Sequence, residues 1–553
     1  MANQKVNALI VGAGAGGGVV AKELSTAGMS VVLFEQGDWI SYDDHTNDEL
    51  HSERNPVLGN ACGPDDNRYR RVNVFPDGSQ HIVLPSEGDY NNISACVGSG
   101  TVTYGALAWR YMREDFKMKS TYGHVAGSTL DDWPISYDDL EPFYEKAEWE
   151  IGVSGDDTLN PFAAPRNKPR PMPPFSHNKE AEILKEAALR LGYHPFSMPM
   201  LRNSIPYDGR PACYRMRTCI GYACPVSAKA GTHNTVIPVA LKSGNCELRT
   251  NCIVSEIMVD NNGKITGVSY FDRNNRKKTQ LADIVILSAS AIETARLILN
   301  SKSKFFPNGI GNENDWVGRN LQGHAYPHAY GLFDEEIYDD FGPGSSVGIC
   351  DFNHHNSGII GGGYLANSFI RMPYSFSGVR PPGEKMWGKQ HKEFQRNNFK
   401  KMAEIHGPYQ EIPNFDQRVE VDPSVKDYWG IPVPRLSGKA HEDDIKGCSF
   451  LANKAELWLK EAGAVKTWKG FGIANSVSAG QHQAGTCRMG NDPKTSVTDK
   501  FGRIHSVPNL FVADGSLHVT NGGFNPALTI MALGYWVGGH IASEWNKGNR
   551  FKS

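Results

Sequence analysis

The chain has 553 residues with 57 basic and 60 acidic side chains, a net charge of −3, so it carries no basic field of the kind that draws nucleic acid or an anionic membrane. No apolar run approaches the roughly 18 residues a membrane span needs, and ten cysteines are too few for a disulfide scaffold. At about 150 residues per domain the length allows three or four domains; two or three interleaved ones are the expectation, with a small molecule as ligand.

The sequence enters a strand almost at once, at Val6-Asn7-Ala8-Leu9-Ile10-Val11, without a basic leader and cleavage site. The expected address is the cytoplasm, or the periplasm if the protein is exported together with a partner. Residues 6 to 35 read as one βαβ unit: an apolar strand, a glycine turn, a helix bearing Val19, Val20, Ala21 and Leu24, and a second apolar strand from Ser30 to Phe34. Residues 43 to 95 are polar and rich in Asn, Asp, Gly and Pro, which predicts loops over a nucleotide with little regular structure.

A second glycine segment follows at Val97-Gly98-Ser99-Gly100-Thr101, where backbone can lie close to a flat ligand. Ser136 is placed to cap a helix through Leu140, Phe143, Tyr144 and Ala147. Six prolines between Pro161 and Pro174 mark a crossing between domains. Strand patterns return at Cys246 to Met258, Ile265 to Tyr270 and Ala282 to Leu287, then helical spacing from Ala291 to Leu299. Further on, a charged helical stretch is expected around Glu384 to Glu404 and an alternating strand at Arg418-Val419-Glu420-Val421.

Gly12-Ala13-Gly14-Ala15-Gly16-Gly17 fits G-x-G-x-x-G between a strand and a helix, with acidic Glu35 roughly 20 residues on. Gly12 allows the tight turn, Gly14 lets backbone N–H groups reach a pyrophosphate, and Gly17 permits close helix packing. Glu35 would accept hydrogen bonds from an adenosine ribose. A glycine run is often only a turn, but strand, helix and acid together favour a dinucleotide site without separating FAD from NAD.

The tail carries His482-Gln483-Ala484-Gly485-Thr486-Cys487-Arg488-Met489-Gly490, then Ala513-Asp514-Gly515-Ser516 and Gly523-Phe524-Asn525-Pro526-Ala527. If both ends serve one cofactor, the fold must bring the termini together. With Gly12 to Gly17, Val97 to Tyr104, Val317-Gly318-Arg319-Asn320-Leu321 and Val285 to Ser290, these segments resemble the glucose-methanol-choline (GMC) oxidoreductases. Ala108-Trp109-Arg110, Asp115 to Ser120, Asp132-Trp133-Pro134-Ile135 and Pro206 to Pro211 look most like the bacterial glucose, gluconate and glycoside dehydrogenases of that family.

The resemblance implies an α/β fold, with a discontinuous FAD-binding Rossmann-like domain and an inserted mixed-sheet α+β substrate domain. On that reading residues 1–159, 212–324 and 473–553 build the FAD-binding domain, while 160–211 and 325–472 build the substrate domain. It implies oxidation of a secondary hydroxyl of a sugar, glycoside or sugar acid to a ketone by hydride transfer to flavin N5. Oxygen, a quinone or a redox protein would be the electron acceptor. His482 matches the catalytic histidine, and Asn525 the second position, which is His or Asn. A histidine titrates near neutral pH and can take the hydroxyl proton, whereas an asparagine N–H₂ steadies the developing alkoxide without competing for that proton.

The carry-over gives cofactor contacts at Gly12, Gly14, Gly17, Glu35, Gln36, Gly98, Ser99, Gly100, Tyr104, Val254, Ala289, Asp514, Gly515 and Pro526. Some relatives bond the flavin to a histidine in the second glycine segment. Thr103-Tyr104 occupies that stretch here, so a non-covalent flavin is expected. Cys213, Cys219 and Cys224 are candidates for a [3Fe-4S] cluster of the kind that passes electrons to a cytochrome in multi-subunit relatives. Their spacing departs from the cluster form, and buried or loop thiols are the preferred reading. A large subunit with a small subunit or cytochrome partner is thus the alternative, and a non-redox lyase with structural FAD the third. His324 and His328 have i, i+4 spacing but no carboxylate motif, so lining or structure is expected rather than metal. His518 is expected in a loop near the surface.

Overall fold

Val6–Val11 (β1), Ala15–Thr26 (α1) and Val31–Phe34 (β2) form the expected βαβ unit in the computed structural model, which describes residues 5–45, 48–53, 56–344, 346–368, 371–470, 479–549 and 551. The boundary placed between residues 472 and 473 lies outside the described residues. β1 and β2 are apolar and almost wholly buried, as parallel strands covered on both faces must be. β1 pairs in parallel with β2 on one side and with Ala282–Leu287 on the other; Cys246–Arg249 extends the sheet beyond β2.

The tail enters this same sheet. Leu510–Val512 pairs in parallel with Val285–Leu287, and the C-terminal helix Ala527–Asn546 lies against α1. That approach is close enough for a Cβ on Gly534 to sit 3.1 Å from the Gly16 carbonyl. The first half of strand Lys277–Leu287 leaves the parallel core and pairs antiparallel with Ile265–Phe271, which pairs antiparallel with Ile253–Val259. Mixed pairing therefore begins within the dinucleotide sheet.

A six-stranded sheet runs in the order Lys466–Gly470, His328–Leu332, Met402–His406, Leu365–Asn367, Val347–Ile349, Phe196–Ser197, with antiparallel pairing throughout. Helix Glu442–Glu461 covers one face, buries Leu451, Ala455, Trp458 and Leu459, and donates the Trp458 indole N–H to the Leu184 carbonyl at 2.7 Å. The other face, with Glu404 and His406, opens onto the central cavity.

Two sequence expectations change. Residues 43–95 contain a hairpin, Arg71–Val74 with Gln80–Val83, and Arg71–Val74 pairs in parallel with Pro432–Ser437, so this stretch is not loop alone. Its strands are short and one is mostly exposed, which hides the alternation that identifies a strand. The helix expected over Glu384 to Glu404 spans Gly388–Asn398, and Met402–His406 is a strand. There the alternation of a sheet interior overrides the charged run. Ser136 caps helix Tyr137–Ala147 as expected, in a reciprocal capping box with Asp139.

Candidate active site

One elongated cavity of ≈ 560 Å³ runs from the ends of β1 and β2 to the face of the six-stranded sheet. At its first end the glycines of the turn do separate jobs. Gly12 has φ +102°, and a Cβ there would stand 2.2 Å from the Ser288 carbonyl. Gly14 borders the cavity, where only Ser99 stands near an added Cβ. Gly17 is turned away from the cavity, since its Cβ would meet the Gly12 carbonyl at 1.9 Å. It tightens the turn and does not line the site, in keeping with the third glycine's packing role. Between them Gly16 seats the tail, because its Cβ would fall 1.8 Å from the Ala513 carbonyl.

Glu35 ends β2 with its carboxylate in this cleft, accepting from the Ala13 N–H and the Gly37 N–H, both at 3.0 Å. Burial raises its pKa to about 7 against these bonds and one from the Gln36 backbone. Gln36, Val254, Ala289, Ser99, Gly100 and Tyr104 also line the cavity. Gly98 does not; its added Cβ would strike His233, which folds behind the segment and is not among the lining residues. Gly515 and Pro526 line the cavity from the tail, as does Asp514. The Asp514 carboxylate is committed to protein donors, taking the Ser290 N–H at 3.0 Å, the Thr294 hydroxyl at 2.7 Å and the Ser516 N–H at 2.8 Å. Burial raises its pKa. It stitches the tail to the helix Ala291–Asn300.

At the other end His482 and Asn525 meet. Asn525 Nδ2 lies 3.4 Å from His482 Nε2, and its Oδ1 accepts from the buried Tyr364 hydroxyl at 2.6 Å. That bond decides which way the amide faces. His482 Nδ1 lies 2.9 Å from His324 Nδ1 and 3.3 Å from the Tyr326 hydroxyl. Beside them stands the Glu404 carboxylate, 3.3 Å from His406 Nδ1. Burial pushes its pKa up, but the bond and charge of His406, with His328 behind, overcome that and hold it at about 2.

His324, Tyr326, Tyr364, Glu404 and His406 are the residues of this end that sequence reasoning missed or left as lining. The signal for His324 is register: Gln322 and Ala484 exchange backbone hydrogen bonds of 3.0 and 2.9 Å in an antiparallel bridge, which sets residue 324 opposite residue 482. His328 instead faces its own chain, with Nδ1 3.0 Å from the Tyr326 carbonyl. His518 corrects the surface expectation: it is fully buried, bonded to Asn521 at 3.0 Å and packed beside Trp133. The tail turns inward there because the Trp133 indole N–H donates to Thr520. Cys213, Cys219 and Cys224 are free thiols away from the cavity lining. Among the described residues no three His, Cys, Asp or Glu side chains gather as metal ligands.

Family models described as GMC oxidoreductase match residues 127–326 and 413–534, and one described as an NAD(P)-binding Rossmann-like domain matches residues 10–56. A 2-methyl-1,2-propanediol dehydrogenase of Mycolicibacterium austroafricanum is 31% identical over 561 residues, covering 98% of this chain and 96% of its own. The chain belongs to the GMC oxidoreductase family. A fructose dehydrogenase large subunit of Gluconobacter japonicus is 28% identical over 99% of this chain and all of its own length. The crystal structure of a pyridoxine 4-oxidase from Mesorbium loti superposes with a TM-score of 0.65 at 16% identity, covering 97% of this chain and 99% of that one. This GMC oxidoreductase is a flavoprotein with FAD as cofactor. Its cleft fits that group: a side-chain-free turn at Gly12 and Gly14, a buried carboxylate at Glu35, and one continuous cavity from there to His482.

Proposed function

We propose that this protein oxidises a secondary hydroxyl of a sugar, glycoside or sugar acid to a ketone, with non-covalently held FAD. When bound, FAD supplies the acceptor for the two electrons that leave the carbinol. Glu35 holds the adenosine end, the Gly12–Gly14 turn approaches the pyrophosphate, and Asp514 fixes the tail segment alongside. His482 takes the hydroxyl proton, and Asn525 holds the oxygen through its amide N–H₂. The observation that carries this reading is the 3.4 Å approach of Asn525 Nδ2 to His482 Nε2 at the substrate end of the FAD cavity. Oxygen, a quinone or a redox protein takes the electrons onward. The proposed address is the cytoplasm, or the periplasm if the protein is exported together with a partner; no helix among the described residues is long and apolar enough to cross a membrane.

Substituting His482→Ala is expected to leave FAD bound and to slow anaerobic flavin reduction by sugar about 10²-fold or more. Unchanged reduction would remove His482 from the mechanism. Bleaching of the flavin by any sugar under anaerobic conditions also excludes the reading as a non-redox lyase. The second reading, a large subunit passing electrons through a [3Fe-4S] cluster to a cytochrome, draws on the full-length similarity to a fructose dehydrogenase large subunit. Iron and acid-labile sulfide in anaerobically purified protein, with a co-purifying small subunit, would favour it.

A further inference from the structure

His324 has no assigned part in the chemistry, yet it touches the residue proposed as the base. Its Nε2 lies 2.6 Å from the Gly522 carbonyl oxygen. A carbonyl only accepts, so Nε2 carries a hydrogen. The ring is buried, 8% exposed, and burial pushes its pKa down to about 4 against the backbone bonds to Gly522 and Asn521, so it is neutral at working pH. A neutral imidazole protonated at Nε2 has its lone pair at Nδ1, and that atom lies 2.9 Å from His482 Nδ1. Two facing lone pairs cannot hold that distance, so His482 Nδ1 is the donor.

We propose that His324 is a positioning residue that fixes the tautomer of His482, placing the hydrogen on Nδ1 and the lone pair on Nε2, toward substrate. The inference rests on His482 as the base. Asn525 agrees with it independently: Tyr364 fixes its amide so that Nδ2–H, a donor, faces His482 Nε2. In the reaction the substrate O–H bond breaks and an N–H bond forms at Nε2. The imidazolium then keeps its Nδ1–H on the His324 lone pair. Orientation of a catalytic histidine is usually entrusted to a carboxylate; here a second, uncharged imidazole performs it. Other titratable groups around this pair include the Tyr326 hydroxyl, 3.3 Å from His482 Nδ1, the buried His518, whose pKa burial also pushes down to about 4, and Glu404 with His406 on the facing strand of the cavity. Glu411 accepts from the Gly323 N–H at 3.1 Å on the same segment.

The test compares His324→Leu, which removes the acceptor, with His324→Gln, whose amide can both donate to Gly522 and accept from His482. In the FAD-loaded enzyme, His324→Leu is expected to slow flavin reduction at saturating sugar about ten- to a hundred-fold, with the sugar's dissociation constant within three-fold. His324→Gln should recover most of the loss. A group that merely fills space would not separate the two. Independently, ¹⁵N-histidine NMR of the wild-type protein should show the His482 resonances, identified by their loss in His482→Ala, with hydrogen on Nδ1. His324→Leu should move them toward a tautomer mixture. The inference is overturned if wild-type His482 carries its hydrogen on Nε2, or if His324→Leu retains FAD and the wild-type reduction rate. Should His324→Leu fail to fold, the wild-type NMR tautomer and the His324→Gln rate still decide. If His482→Ala itself reduces normally, the base assignment falls; if only His324→Leu does, the tautomer assignment falls alone.

Discussion

With Glu35 at the adenosine ribose, as proposed, its buried carboxyl couples FAD binding to pH. In the FAD-free protein its pKa is raised from 4.5 to about 7, because burial outweighs the backbone bonds from Gly37, Ala13 and Gln36. A ribose hydroxyl donating to the carboxylate would favour the charged form and return the pKa toward the ordinary range. FAD binding then releases a proton near neutrality, and affinity must rise with pH. With a pKa of about 7 free and about 4.5 bound, the dissociation constant falls about ten-fold from pH 6 to pH 8. Stability of the FAD-free protein moves the opposite way. A raised folded pKa gives stability that is full below about 4.5 and lost as pH rises through about 7, to an extent of about 3 kcal/mol. The assay is titration of the FAD-free protein with FAD, followed by flavin fluorescence at several pH values, beside Glu35→Gln, in which the slope should vanish. A wild-type affinity flat from pH 6 to pH 8, or an equal slope in Glu35→Gln, would refute the reasoning.

Two further outcomes test the architecture and the substrate wall. Gly16→Ala forces a Cβ to within 1.8 Å of the Ala513 carbonyl, so the protein should lose about 1–3 kcal/mol of stability and retain less FAD on purification. A variant that melts like wild type with full FAD would show that the tail is not seated there. Glu404 places a carboxylate held ionised on the cavity wall, and like charges about 5 Å apart repel by about 3 kcal/mol at an effective dielectric constant of about 20. Glu404→Gln should therefore raise kcat/KM for an aldonic acid ten-fold or more while leaving a neutral sugar within three-fold. Equal changes for both substrates would remove charge as the cause.

The dinucleotide half was legible because its signals are local. An apolar strand, a glycine turn, an amphipathic helix and an acid at the second strand's end lie within residues 6–35, and backbone geometry alone makes that order meaningful. The Ser136 cap was legible for the same reason. The hairpin at Arg71–Val74 was not, because its partner Pro432–Ser437 lies some 360 residues further on and a pairing leaves no mark on either strand's composition. His518 was misplaced for a related reason: a polar residue in a loop is usually exposed, and only the contact with Trp133 shows that this loop turns inward.

The sequence by itself carried the βαβ unit through residue types at short, fixed spacing and, through its resemblance to the GMC oxidoreductases, the family, the fold class and the expectation that His482 and Asn525 act as a pair. Only the tertiary structure decided what surrounds that pair. His324 reaches His482 through a bridge between segments about 160 residues apart, Tyr364 orients Asn525 from another strand, and Glu404 stands on the facing sheet. Hydrogen bonds that set a tautomer or turn an amide depend on distances of about 3 Å between such segments, and chain order carries no measure of that distance.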